Sequence, residues 1–265
     1  MNRKVLRNLA SAIFTCYATV AVAAPHWTHE EQATWGAIQD TSQTVVPLNY
    51  PYAECSIGTH QSPVDFAAAK IDNKRKLNDL QVWYDVDVPV FFNTGHAVQV
   101  NTSTNYKGEL KIGEESFPLI QFHFHEPSEH VVGGVKFPAE LHFVHVGQDG
   151  RLIVLGVAVN VGEENATFQT ILNNMPTTGG DQNSNASGIQ IDPTTLLPPL
   201  GHNSFDYVAL AGSLTTPPCS EGVQWYLLLD SITISSAQLD QLKGFYAGNA
   251  RAPQNVNGRT VSSTR

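Results

Sequence analysis

Between residues 80 and 161, apolar and polar positions fall in short runs instead of long periodic stretches. LQVWYDVDV (80–88), HAVQVNT (96–102), GELKIGE (108–114), LIQFHFH (119–125), AELHFVHV (139–146) and RLIVLGVAV (151–159) are rich in β-branched and aromatic residues. Many of them alternate apolar with polar, and Gly, Asn or Asp often separates one from the next, which is a strand-and-turn grammar. No long helical segments intervene, so the neighbours are predicted to pair antiparallel and not as repeated βαβ units. VQWYLLLDSITI (223–234) reads as another buried strand. A short helix is expected over 167–174, and SSAQLDQLKGFY (235–246) is the best helix candidate, with Ser236 as its N-cap. TTGGDQNSNASG (177–188) reads as a surface loop, and proline punctuates LLPPL (196–200) and LTTPPC (214–219). With no internal repeat and no long linker, one sheet-dominated domain is predicted.

The N-terminus departs from this pattern. Arg3, Lys4 and Arg7 give a basic start, residues 9–22 are mostly apolar, and Ala21-Val22-Ala23 offers small residues at a cleavage spacing. Residues 1–23 therefore read as a signal peptide and 24–265 as the mature domain, placed in the periplasm or outside the cell. An ordinary N-terminal helix is the alternative. The apolar run is too short, and too broken by Ser11 and Thr15, to favour a membrane span. Cys16 lacks the usual leader of a lipid-attachment cysteine, so no membrane anchor is expected. Cleavage would leave 242 residues, ample for a real core, and would move the net charge from −9 to −12. An acidic chain without a basic cluster argues against nucleic acid and anionic membrane as partners. Cys55 and Cys219 would remain as an even pair, which in an oxidising compartment reads as a disulfide, with two buried free thiols as the alternative.

Three of the ten histidines fall within QFHFHEPSEH (121–130). Residues two apart in a strand share a face, so His123 and His125 project together beside Gln121, with Phe122 and Phe124 opposite. AELHFVHV carries Glu140 and His142 on one face. If the two strands pair, His142 completes a facial set of three imidazoles with a fourth position open, the arrangement of a catalytic zinc site. A single strand histidine is more often a satisfied or surface residue than a ligand, so the set as a whole makes the case. Gln121 is placed to hold His123, and Glu140 to hold His142. His145 lies on the opposite face, and His130 reads as a hydrogen-bonding histidine in the turn. Glu129 is a candidate to hold a hydroxyl near the metal.

These segments belong to an ordered series: QSPVD (61–65), NTGHAVQV (93–100), QFHFHEPSEH, AELHFVH (139–145), VLG (154–156), GSLTTPP (212–218) and NARAPQ (249–254). In this order, over residues 27–261, the chain resembles the exported, bacterial-type α-class carbonic anhydrases. The resemblance implies a large, twisted, mainly antiparallel sheet with short peripheral helices. It implies Zn2+ on His123, His125 and His142, with Gln121 and Glu140 behind them. It implies Thr215 passing its proton to Glu129, Thr216 beside it, and His96 as the proton shuttle. Val144, Val154, Leu214, Val223 and Trp225 match the apolar wall for carbon dioxide. Ser62-Pro63 and Pro217-Pro218 match cis peptides, and Cys55–Cys219 matches the disulfide of secreted members.

The activity implied is reversible hydration of carbon dioxide to bicarbonate and a proton, by zinc-hydroxide attack with histidine proton shuttling, plus a side activity on activated esters. Sulfonamides are the inhibitors expected; monomer and homodimer both stay open. The opening HWTH departs from the family's frequent tyrosine, and His29 stands there as a candidate second relay. Two other readings keep the fold: a non-catalytic binding module, which folded protein free of zinc would favour, and a periplasmic zinc-storage or carrier protein, which predicts readily exchanged metal and no sulfonamide inhibition.

Overall fold

The structure, a computed structural model, describes residues 24–42, 49–72, 77–200 and 204–265. The expected signal peptide lies outside the described residues. The strands in chain order are β1 (Lys70–Asp72), β2 (Leu80–Trp83), β3 (Val90–Asn93), β4 (Val98–Asn101) and β5 (Glu109–Ile112). The long central strands follow, β6 (Glu115–His125), β7 (Ala139–Val146) and β8 (Leu152–Val161). The short β9 (Gln182–Asn183) precedes β10 (Tyr207–Ser213), β11 (Glu221–Leu228), β12 (Ile232–Ile234) and β13 (Thr260–Ser263). Helices α1 (Glu54–Ile57), α2 (Ala166–Asn174) and α3 (Ser236–Phe245) lie around the sheet, with 3-10 turns at Gln32–Ala37, Phe66–Ala68 and Pro193–Leu196.

The sheet runs β1-β13-β10-β11-β8-β7-β6-β4-β3-β9, with β12 beside β8 and the β2-β5 pair attached to β6. Most pairs are antiparallel, as the short spacing predicts; β1-β13, β11-β8 and β12-β8 are parallel. Segment 223–234 is thus two strands, because the chain bends at Leu229-Asp230 and β11 and β12 pair with β8 at different points along it.

Alternation along the central strands separates two apolar layers. Phe122 and Phe124 of β6 with Leu141 and Phe143 of β7 enter the larger layer, which α2 and α3 cover through Phe168, Ile171, Leu239 and Leu242. The opposite face builds a smaller layer from Val144, Val154, Val223, Trp225 and Leu227. A register shift between Leu119 and Gln121 resets the faces of β6, so Leu119 joins the larger layer although Gln121, His123 and His125 face the other way. Both faces of β7 are covered, so the seven residues Ala139–His145 are buried whether apolar or polar. That is the physical reason a histidine and a glutamate can sit there out of water.

The N-cap of α3 is Ser235 and not Ser236. The Ser235 hydroxyl accepts from the Gln238 N–H, and the Gln238 side chain accepts from the Ser235 N–H in return, a reciprocal capping box. Cys55 and Cys219 form a disulfide across 164 residues, tying α1 to the turn that follows Thr215 and Thr216. Ser62-Pro63 and Pro217-Pro218 are cis, and so is Glu126-Pro127. No helix among the described residues is long and apolar enough to cross a membrane.

Candidate metal centre and active-site cavity

On β6 and β7, His123 stands directly opposite His142, and His125 opposite Glu140. This register gathers three imidazole rings, with centroids 5.0 Å (His123–His125), 5.2 Å (His123–His142) and 4.7 Å (His125–His142) apart. Each ring has one nitrogen committed behind it. His123 Nδ1 lies 2.9 Å from Gln121 Oε1, His125 Nδ1 lies 2.8 Å from the Asn249 carbonyl, and His142 Nε2 lies 2.8 Å from Glu140 Oε1. Those partners are acceptors, so the committed nitrogens carry the protons and the remaining ones are bare. One donor atom from each of the three residues falls within 4.8 Å of the others.

Burial keeps these rings neutral. It holds His123 well below the ordinary imidazole value, with His125 and His142 adding to the effect. It pushes His125 down to about 4 and lowers His142, against the pull of Glu140. The bare Nε2 of His125 is buried and has no hydrogen-bond partner among the described residues. A buried acceptor without a donor is costly, and a cation satisfies it. Three neutral imidazoles, each anchored through its far nitrogen, fit a zinc ion. A second grouping, His130, Glu140 and His142, also comes together. There, however, Glu140 Oε1 accepts from both rings at 2.8 Å, which is hydrogen bonding.

Glu140 and Glu129 differ in environment. Burial would raise Glu140, but the charges and hydrogen bonds of His130 and His142 outweigh it and hold the carboxyl well below its usual range. For Glu129 burial wins and raises the carboxyl, while His142, the Thr215 hydroxyl and the Arg251 N–H oppose it. Glu129 Oε1 accepts from the Arg251 N–H at 2.8 Å. Its Oε2 lies 3.5 Å from His125 Nε2. The Thr215 hydroxyl lies beside this carboxylate and favours its charged form.

A cavity of about 270 Å³ opens onto the three histidines. One wall is apolar, formed by Val144, Val154, Leu214 and Trp225, with Thr215 and Thr216 at its edge. Val154 and Trp225 are registered partners on β8 and β11. Val223, expected in this wall, does not line the cavity; it is buried in the apolar layer that supports it. Glu129 and Glu140 also lie behind the lining and not in it. On the other side are His96, His29, Thr94 and Gln99. His96 stacks on Trp27, with the ring centroids 3.8 Å and the planes 12° apart. Partial burial lowers its pKa, with His26 adding to the effect. His29 is pushed down to about 4, mainly by burial and then by His125 and His96.

Sequence reasoning passed over three contributors. The Asn249 carbonyl and the Arg251 N–H are main-chain groups, and Trp27 acts through its ring face. Asn249 also fixes the loop, its amide donating to the carbonyls of His96 and Phe124 at 2.9 and 3.1 Å. The signal available for the first two was the segment NARAPQ itself.

Sheet, cavity and donor set define an enzyme of mainly β architecture whose cavity holds three histidines able to bind a metal ion. The chain belongs to the α-class carbonic anhydrases: the family model described as eukaryotic-type carbonic anhydrase matches residues 46–265. It is 33% identical to a carbonic anhydrase of Pectobacterium atrosepticum, over 96% of this chain and 97% of that one. It is 34% identical to a carbonic anhydrase of Neisseria gonorrhoeae, over 98% and 97% of the two chains. The solved α-carbonic anhydrase of Thermovibrio ammonificans, in complex with the inhibitor sulfanilamide, superposes with a TM-score of 0.77 at 34% identity, covering 91% of this chain and all of that one. The protein is a carbonic anhydrase that hydrates carbon dioxide reversibly to bicarbonate and a proton. The family is zinc-dependent, and the histidine set can hold such an ion.

Proposed function

We propose that His123, His125 and His142 hold a zinc ion, with Gln121, the Asn249 carbonyl and Glu140 fixing their tautomers. The observation that carries this reading is the convergence of three imidazoles on one cavity, with the His125 Nε2 buried and without a donor among the described residues. Bound there, zinc supplies the Lewis acidity that makes water a nucleophile at neutral pH. Thr215 donates its hydroxyl hydrogen to Glu129, whose remaining charge is supported by the Arg251 N–H. Thr215 is then left as an acceptor toward the cavity. An oxygen nucleophile that donates to it turns a lone pair toward the apolar wall, where Val144, Val154, Leu214 and Trp225 receive carbon dioxide. Thr216 completes the edge of that site, and Val223 supports the wall from behind.

Each turnover releases a proton, which His96 takes from cavity solvent and delivers to buffer. His96 is partly buried beside Trp27 and neutral at pH 7, so it is free to accept. His29 is a poor second relay, since a ring held near about 4 stays deprotonated at the working pH. Sulfonamides would inhibit by occupying the same cavity. Residues 1–23 act as a cleaved signal peptide and 24–265 form the exported catalytic domain, which the Cys55–Cys219 disulfide supports.

The test is stopped-flow hydration of carbon dioxide together with zinc content. Wild-type protein should carry about one zinc per chain and accelerate hydration well above buffer. His142→Ala should lose most of the zinc and most of the activity. A variant that keeps both would sink the assignment.

A further inference from the structure

The main sheet ends on β1, a three-residue strand of sequence Lys70-Ile71-Asp72 that pairs in parallel with β13 on one side. Among the described residues no strand pairs along its other side. An open edge presents a row of main-chain donors and acceptors, and native chains often deter pairing there with a lysine. Lys70 alone would be such a deterrent. Asp72, two positions on, carries the opposite charge on the same face of the strand.

Ile71, between the two charges, is apolar and yet 54% exposed. It lies at the rim of a cavity of about 330 Å³, together with Val132 and Leu229, which are 53% and 39% exposed. Val135, the bridge partner of Val132, is 64% exposed. Phe66, Val208 and Leu227 line the same cavity and are buried. Exposed apolar side chains gathered at one opening mark an interaction surface, which scattered ones do not.

We propose that this edge is an interface between two copies of the chain, with β1 of one pairing antiparallel to β1 of the other about a two-fold axis through Ile71. Self-complementarity selects the occupant. In this register Lys70 of each copy stands opposite Asp72 of the other, and the two Ile71 residues stand opposite one another. Cross-strand partners share a face of the sheet, so both ion pairs form on one face and the two apolar rims meet on the other. Parallel pairing in the same register would set lysine against lysine and aspartate against aspartate. The two-fold contact satisfies one charge pattern twice, as an isologous interface does. A foreign peptide on so short an edge would gain few main-chain hydrogen bonds. A second copy brings the reversed charge order and a second apolar rim together.

Sedimentation velocity of the full, folded protein tests this at physiological salt, where repulsion between acidic chains is largely screened. The wild type should form a dimer. Lys70→Glu turns both ion pairs into pairs of carboxylates, and Asp72→Lys turns both into pairs of ammonium groups. Each should weaken the dimer by about tenfold. The two substitutions combined reverse both pairs and should restore association to the wild-type level. Ile71→Asp, which charges the centre of the contact, should weaken it by about tenfold or more. None of the three residues lines the metal cavity, so an unchanged hydration rate per chain shows that each variant is folded. A wild type that stays monomeric up to the highest concentration reached would overturn the proposal. A dimer that survives either single charge substitution would place the interface elsewhere, and single losses that the combined variant does not repair would overturn the register.

Discussion

Each imidazole of the candidate metal centre is held by a different kind of group: a side-chain amide, a main-chain carbonyl and a carboxylate. The amide is the one that can be removed most cleanly, because Gln121 is only half-buried. Gln121→Ala should weaken zinc binding by roughly 10- to 100-fold, read by competition with a chelator, while the fold is kept. Unchanged affinity would mean that β-sheet packing alone orients His123. His96 carries the second prediction at this scale. Burial, assisted by His26, lowers its pKa, so the neutral form that can accept a proton predominates at pH 7 and is lost as pH falls through a midpoint below ~6.5. His96→Ala should therefore lower kcat in dilute buffer, with recovery in concentrated buffer and no change in kcat/KM. An equal loss in both buffers would remove the shuttle role. Much of this centre was legible in the chain, because His123, His125 and His142 follow from a period of two and a plausible strand pairing. The Asn249 carbonyl and the Arg251 N–H were not, since a main-chain group carries no side-chain signature.

At the scale of elements, period and turn residues located the central strands β6, β7 and β8 well, but not the irregularities that aim them. The shift between Leu119 and Gln121 is invisible to simple alternation, which would place Leu119 on the same face as His123. Segment 223–234 is mostly apolar, and only the bend at Leu229-Asp230 reveals two strands that meet β8 separately. Helix α3 shows the same limit at its start. Two serines are adjacent, either has the chemistry of a cap, and the geometry selects Ser235 because it is extended and reciprocates with Gln238. Ser235→Ala should destabilise the protein by about 1 kcal/mol, the usual worth of such a cap, and Ser236→Ala by much less. Urea denaturation of the two variants separates them. A larger loss at Ser236 would contradict the assignment.

At the scale of the whole molecule, the disulfide joins segments that the sheet does not join. Cys55 follows the aromatic N-terminal region, packed with Trp35 and Tyr52, and Cys219 ends the turn that carries Thr215 and Thr216. The buried Arg251 reaches the same junction, donating to the Cys55 carbonyl at 3.1 Å and to Gln61 Oε1 and the Ser62 carbonyl at 2.8 and 2.7 Å. Gln61 donates in turn to the Cys219 carbonyl at 3.0 Å, so the bridge is not the sole tie on the active-site loop, and this one is independent of redox state. Closing a loop of 164 residues restricts the unfolded chain, a contribution of up to about 5 kcal/mol in the chain-entropy model and often less in practice. Reduction should accordingly lower the denaturation midpoint substantially. It should leave activity largely intact under conditions where the reduced protein is still folded, because the Arg251 contacts and the β10-β11 pairing persist. Hydration rates and urea midpoints of the Cys55→Ser, Cys219→Ser double variant, compared with wild type, measure the two effects separately. Activity that collapses while the chain is still folded would show that the disulfide itself, and not Arg251, positions Thr215.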